Sequence, residues 1–396
     1  MSDPTFSSPA PERQTDAPAV NLSKPGRDSL APDLPTAPTP PPTISTYPVG
    51  FTGTSGEFFR LWIVNTALTI VTLGLYLPWA RVRTRQYFYG HTWVDGQNFE
   101  YTANPLALLR SYLIVSAFFG AYTLATNLQF QGWEWVVGII GVGFVALYPW
   151  LVMKSMRFLA ASTAHRGLNF RFHGKAGGAY LAYGVANIAA GLSSGLALPW
   201  AWYMQRRYQV EHAAFGRARA TFRGDVGNFY VIGLTALGLV IGAVVVLAVP
   251  LIAGFALLSS NNPFSDSTDV GFLGAFAGIA VLYLAFLAAY SLSWQYIRGA
   301  TLKLVLNSLE LGGVVRTRAT FSPWMLAWIG LSNAAVQVLT LGLATPWAAV
   351  RRSRYVLGGI EVLAIASLDD FAADATPGEN ALGEAATELL DINLGF

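Results

Sequence analysis

Residues 65–87 read Asn65-Thr66-Ala67-Leu68-Thr69-Ile70-Val71-Thr72-Leu73-Gly74-Leu75-Tyr76-Leu77-Pro78-Trp79-Ala80-Arg81-Val82-Arg83-Thr84-Arg85-Gln86-Tyr87. An apolar run carries an asparagine, breaks at a glycine, restarts at Pro-Trp and ends among arginines. The last apolar run repeats the order with Asn333, Thr340-Leu341-Gly342-Leu343, Pro346-Trp347-Ala348 and Tyr355. Both copies hold 13 residues from Asn to Pro and nine from Pro to Tyr. A third copy, with Asn187, Gly195-Leu196, Pro199-Trp200-Ala201 and Tyr208, is one residue shorter before the proline. Three copies in near register mark internal repetition around 56–87, 178–208 and 324–355, and repetition of this kind constrains a fold more than any single motif.

These copies belong to a set of seven apolar stretches, near 57–80, 105–127, 133–153, 179–203, 229–258, 272–297 and 323–350. Each has the length of about one crossing of a ~30 Å hydrocarbon layer at 1.5 Å per residue. Most of the 12 tryptophans lie near their ends, where an amphipathic ring favours the water–lipid boundary. Over the whole 396 residues, 53% are hydrophobic and 12% charged, against about 25% charged in an average soluble protein. That balance excludes an ordinary soluble enzyme and points to a lipid bilayer as partner.

The formal net charge of +3 hides an uneven distribution. Residues 1–50 hold three bases against five acids, and the segment after Arg354 holds eight acids and no base, which leaves the apolar middle at +13. Residues 1–48 contain 12 of the 21 prolines and bury too little apolar surface to offset ordering, so they read as a disordered cytoplasmic head. Residues 361–396 read as an acidic cytoplasmic tail, and 49–360 as the membrane domain. No basic, apolar and small-residue succession of a signal peptide opens the chain.

Cytoplasmic loops of inner-membrane proteins concentrate Lys and Arg. Seven plain transmembrane helices spread the bases almost evenly over both sides. If the three Asn–Gly–Pro-Trp copies instead enter and return on one side, and the other four stretches cross fully, all 25 bases fall on one face. The sequence therefore predicts an all-α integral membrane protein with four full crossings and three re-entrant or half-crossing repeats, both termini cytoplasmic. Alternation at Phe99-Glu100-Tyr101, Phe170-Arg171-Phe172 and Thr221-Phe222-Arg223 predicts short β-like pieces between these segments.

The run Thr72 to Arg83, with Phe51-Thr52-Gly53 before it and Arg85-Gln86-Tyr87-Phe88 after it, resembles the YjgN family of bacterial inner-membrane proteins. The likeness extends over about residues 49–360 through the repeated Asn, Gly, Pro-Trp and Tyr positions. It implies a multi-pass protein of the bacterial inner membrane with a shared domain of unknown function, and it carries over no catalytic residue.

Among polar groups, Asn65, Asn187 and Asn333 stand out, since an amide in an apolar stretch needs partners. They are candidates to line a polar pocket or pathway, with Gly74, Pro78, Gly195, Pro199, Gly342 and Pro346 forming the repeat turns. A base follows Trp by four residues, on one helical face, at Trp79/Arg83, Trp150/Lys154, Trp294/Arg298 and Trp347/Arg351. Trp200 departs from this, with Arg206 and Arg207 just beyond. These bases suit anionic lipid head groups or a small anionic solute, though plain anchoring at the interface accounts for them more simply. The chain has no Cys, its four histidines lack metal-ligand spacing, and no nucleophile elbow or phosphate-cradling loop occurs. No catalytic residue, metal, cofactor or nucleic-acid partner is expected. Two functions remain: permeation or transport of a small anionic solute, and a non-catalytic membrane scaffold or lipid-interacting assembly factor.

Overall fold

In a computed structural model, residues 44–128, 131–260, 268–365 and 368 are described. The proline-rich head through residue 43 and the acidic tail from residue 369 lie outside the described residues.

Ten short strands among the described residues close into one antiparallel barrel in which neighbours in sequence are neighbours in space. They are β1 (Ser45–Phe51), β2 (Thr92–Val94), β3 (Gln97–Tyr101), β4 (Thr163–His165), β5 (Leu168–Phe172), β6 (Ala213–Phe215), β7 (Ala218–Phe222), β8 (Leu309–Leu311), β9 (Val315–Ala319) and β10 (Ile360–Ala364). β1 pairs with both β2 and β10, so no edge remains open. Alternate residues fill the interior. Val49, Val94, Val315 and Ala364 form one buried group with Phe99 and Val362 against it, and Phe215 packs with Phe170 and Leu311.

An up-and-down barrel puts successive connections at opposite rims. At one rim lie the tight turns Asp95-Gly96 and Arg166-Gly167, whose positive φ at both residues is the type I′ geometry that matches strand twist. Gly216 and the Gly312-Gly313 pair complete this rim. All five remaining connections are helical hairpins, and they leave the other rim together.

Two of the hairpins are long: α3 (Pro105–Leu128) with α4 (Trp133–Ala161), and α8 (Val226–Ser260) with α9 (Thr268–Asn307). These four helices are long and apolar enough to cross a membrane. The other three hairpins are the sequence repeats. The first pairs α1 (Ser55–Val71) with α2 (Leu77–Gly90), and the last pairs α10 (Pro323–Leu339) with α11 (Thr345–Leu357). The middle one runs through α5 (Ala176–Ala179), a π-helical segment (Tyr180–Val185) and α6 (Ala186–Leu192) into α7 (Leu198–Glu211). The hairpins pack around the rim in chain order, and α11 closes the ring against α1.

The expectation of an all-α protein is thus corrected: the inter-segment pieces are a closed ten-strand barrel, not loops of partial β character. The alternating pieces at 99–101, 170–172 and 221–222 lie on β3, β5 and β7, but strands of three to seven residues separated by whole helical hairpins carry no local signal of which strand pairs with which. The barrel also reaches beyond the expected membrane domain of 49–360. Residues 45–48 and 361–364, read as parts of the head and tail, are paired strands, with Ser45 opposite Ala364.

Candidate functional site

The three repeat turns share one geometry. Leu73, Ser194 and Leu341 have φ of 50°, 51° and 51°, and Gly74, Gly195 and Gly342 follow at 90°, 92° and 88°. Each glycine amide donates to a carbonyl five residues back, from Gly74 to Thr69, Gly195 to Ala190 and Gly342 to Gln337. Thr72, Ser193 and Thr340 hydroxyls then accept from Tyr76, Ala197 and Ala344 amides and open the second helix. Pro78, Pro199 and Pro346 occupy its first turn, where a missing N–H costs nothing.

The terminal tyrosine of each repeat returns to the start of its hairpin. Tyr87 Oη accepts from the Thr54 amide and donates to the Thr54 carbonyl, both at 2.8 Å. Tyr355 Oη accepts from the Ser322 amide at 3.0 Å, and Tyr208 Oη donates to the Lys175 carbonyl at 3.0 Å. Glycine lies beside two of these clamps for want of space: a Cβ on Gly174 would stand 2.4 Å from Tyr208 Oη and 2.3 Å from the Phe172 ring. The Pro-to-Tyr spacing read from sequence is therefore a fold device.

The asparagines divide. Asn333 is buried, its Nδ2 donating to the Ala348 carbonyl at 3.1 Å and its Oδ1 accepting from Arg351 at 2.9 Å. Arg351 also donates to Ser332 Oγ at 2.9 Å and lies over the Trp347 ring. Asn187 is exposed and bonded to the Tyr183 carbonyl and to Gln205. The missing residue before Pro199 explains this, since a one-residue offset turns a side chain about 100° around a helix. Ala186, fully buried, fills the place that Asn65 and Asn333 take in the other copies. Asn65 is 4% exposed, and neither of its amide atoms has a hydrogen-bond partner among the described residues. No hydrogen bond among the described residues joins one repeat asparagine to another.

Asn65 faces a cleft of about 630 Å³ between α1 and α2, lined also by Glu57, Arg60, Val64, Arg83 and Gln86. A second cleft of about 410 Å³ lies where the last hairpin meets the start of α1, lined by Ser55, Arg351, Arg354 and Tyr355 among others. There Arg351 is committed to Asn333, and Arg354 donates to the Gly53 carbonyl across the ring closure.

Among the other interfacial residues, Lys154 stands over Trp150 at 5.6 Å, as the four-residue spacing predicts, whereas Arg83 stands over Tyr76 at 5.7 Å, and Trp79 stacks on the same tyrosine. Trp200 packs against Ala186, Ala190 and Ala201. Arg207 pairs with Glu211 at 2.8 Å. Trp294 and Arg298 occupy successive turns of α9. Arg298 has a role that spacing alone did not reveal. Loss of surrounding water lowers the pKa of Arg206 and Arg352 below the usual arginine value; Tyr183 opposes this at Arg206, and the Arg298 charge adds to it at both. The Arg298 charge on α9 therefore acts on one arginine of each neighbouring hairpin, Arg206 of α7 and Arg352 of α11.

The histidines sit at the barrel and its helical rim. His91 and His212 Nδ1 face the carbonyls of Tyr87 and Tyr208, and His165 Nδ1 faces the Asn98 carbonyl.

A family model described as a bacterial protein of unknown function (DUF898) matches residues 46–389. The chain is 34% identical over 128 residues to the inner membrane protein YjgN of Salmonella typhimurium strain LT2. It is 30% identical over 124 residues to the protein of that name from Escherichia coli O157:H7, and 31% identical over 124 residues to the one from strain K12. Each match spans 31% of this chain and 30% of the relative. No solved structure matches the chain.

Proposed function

The chain belongs to the bacterial DUF898 family, whose function is unknown, and on that basis we propose that it is a non-catalytic, multi-pass inner-membrane protein whose basic, barrel-side face holds anionic lipid head groups. The carrying observation is that Arg298 of α9 repels both Arg206 of α7 and Arg352 of α11, each partly dehydrated. Like charges gathered in partly dehydrated surroundings favour an anion between them, and the phosphates at a bilayer surface are the abundant anions there.

The distribution of charge along the long helices supports the placement. Neither Lys nor Arg occurs from Ser111 to Met153 or from Gly224 to Ile297, whereas the barrel and the helix ends beside it are rich in both. Under the positive-inside rule the barrel then stands in the cytoplasm, and so do both chain ends. The relatives named inner membrane protein YjgN support the inner membrane as the location. A shared solute pathway draws less support, because Asn187 and Asn333 spend their amides within their own hairpins.

Two measurements test the reading. Single cysteines replacing Arg217, on the tight-turn rim, and Gln131, at the α3–α4 tip, should label only from the cytoplasmic and the outer side respectively. In detergent, added phosphatidylglycerol should raise the melting temperature more than phosphatidylcholine does, and R206Q/R298Q/R352Q should abolish the difference. Equal stabilisation by both lipids in the unaltered protein would sink the proposal.

A further inference from the structure

The first and last hairpins carry the same Asn and Arg positions, and only in the last are they internally satisfied. Arg351 of the last hairpin corresponds to Arg83 of the first, Asn333 to Asn65, and Ser332 to Val64. In the last copy the arginine has two inward acceptors, Asn333 Oδ1 and Ser332 Oγ, each at 2.9 Å. In the first copy the serine is replaced by valine, and the Arg83 guanidinium rests over the Tyr76 ring. Asn65 is left 4% exposed in the cleft with both amide atoms unpartnered among the described residues.

A buried amide without partners is costly, and it is retained where something else satisfies it. The cleft supplies the chemistry of that partner. Its cations are Arg60 and Arg83, against the single carboxylate of Glu57. Arg60 stands where the last copy has Trp328, so the first cleft has gained a cation as well as freed one. Val64, Leu68, Ile70 and Val71 continue from the cleft along α1 as exposed apolar side chains.

We propose that the first-hairpin cleft is a binding site for a phosphate group, with Asn65 Nδ2 donating to one oxygen and the Arg60 and Arg83 guanidinium groups paired with the others. A phosphate offers several acceptors at once and suits forked guanidinium donors. The choice of a phospholipid as the source rests on the membrane placement proposed above, and the apolar flank of α1 suits its acyl chains. Phosphate recognition itself rests on the cleft alone.

The test titrates the purified full-length protein in detergent with inorganic phosphate and, separately, with a short-chain phosphatidylglycerol, by calorimetry. The unaltered protein should bind the lipid, and inorganic phosphate should compete with it. N65L and R83Q should each weaken binding at least about tenfold, while N333L leaves it unchanged. V64S guards against a variant that merely misfolds. It restores the serine of the last copy, should draw Arg83 inward onto Asn65 as Arg351 lies on Asn333, and should weaken binding about tenfold in a well-folded protein. Binding of inorganic phosphate without the lipid would keep the phosphate site and remove the lipid as its source. The site is overturned if neither probe binds, or if N65L and V64S both bind as the unaltered protein does. The melting-temperature difference assigned to Arg206, Arg298 and Arg352 would survive that failure, so the two proposals fail separately.

Discussion

Arg351 donates to the Asn333 amide oxygen at 2.9 Å, and the amide nitrogen of the same asparagine donates to the Ala348 carbonyl, so one buried side chain ties α10 to α11 at two points. Replacing Asn333 with leucine removes both bonds and leaves Arg351 with Ser332 and the Trp347 ring. The expected loss is about 1–3 kcal/mol, read as a lowered thermal midpoint in detergent. Asn65→Leu should act in the opposite direction in lipid-free detergent, raising stability by about 1 kcal/mol, because it removes two buried polar atoms that have no partners. A lowered midpoint for N65L would show that the amide is satisfied within the chain.

The repeat turns should tolerate no side chain at their second left-handed residue. Gly74→Ala or Gly342→Ala forces Cβ at φ near 90°, at an expected cost of about 1–2 kcal/mol each. Denaturant titration of the two single variants and of the double variant checks this, and the distant sites should add.

The tyrosine clamp should be sensitive from both sides. Gly174→Ala drives a methyl group into Tyr208 Oη and the Phe172 ring and should cost about 1–3 kcal/mol. Tyr87→Phe leaves the Thr54 amide without its acceptor and should cost about 1 kcal/mol, with the helical content of the folded protein unchanged by circular dichroism.

The barrel should weaken in acid through His165. Burial lowers its pKa below the ordinary histidine value, an effect opposed by the Asn98 carbonyl, deepened by Arg166 and opposed by Asp95. The ring stacks on Phe99 at 4.5 Å inside the barrel. Because the unfolded chain then binds the proton more readily than the folded one, the contribution of neutral His165 is fully present above the unfolded value of about 6.5 and is lost as pH falls through the lower folded value. Melting temperatures measured from pH 7.5 down to 5 should decline. His165→Phe, which keeps the stack, should flatten that decline, and an unchanged slope would assign the acid sensitivity elsewhere.

Much of the molecule was legible along the chain because it is encoded locally. The Gly74 and Gly342 turns, the Pro-Trp helix starts and the apolar helices from Pro105 to Leu128 and Trp133 to Ala161 each depend on residues a few positions apart. Hairpin signals were present too, in Asp95-Gly96 and Gly312-Gly313, yet each flanks strands of three to five residues that predict little alone. The candidate site was only half legible. Asn187 looked equivalent to Asn65 by its neighbours, but its one-residue offset exposes it, and no local pattern says which asparagine keeps a partner.

By itself, then, the sequence determined an apolar protein with recurring Asn, Gly and Pro-Trp positions, helices of membrane-crossing length and two long stretches free of Lys and Arg, since hydrophobic period, turn glycines and charge are properties of adjacent residues. Only the tertiary structure decided that Ser45 lies against Ala364, that the Arg298 charge acts on both Arg206 and Arg352, and that Arg83 leaves Asn65 alone while Arg351 holds Asn333. Those facts depend on strand register and helix packing between segments far apart in the chain, where a shift of one residue changes which face a side chain occupies.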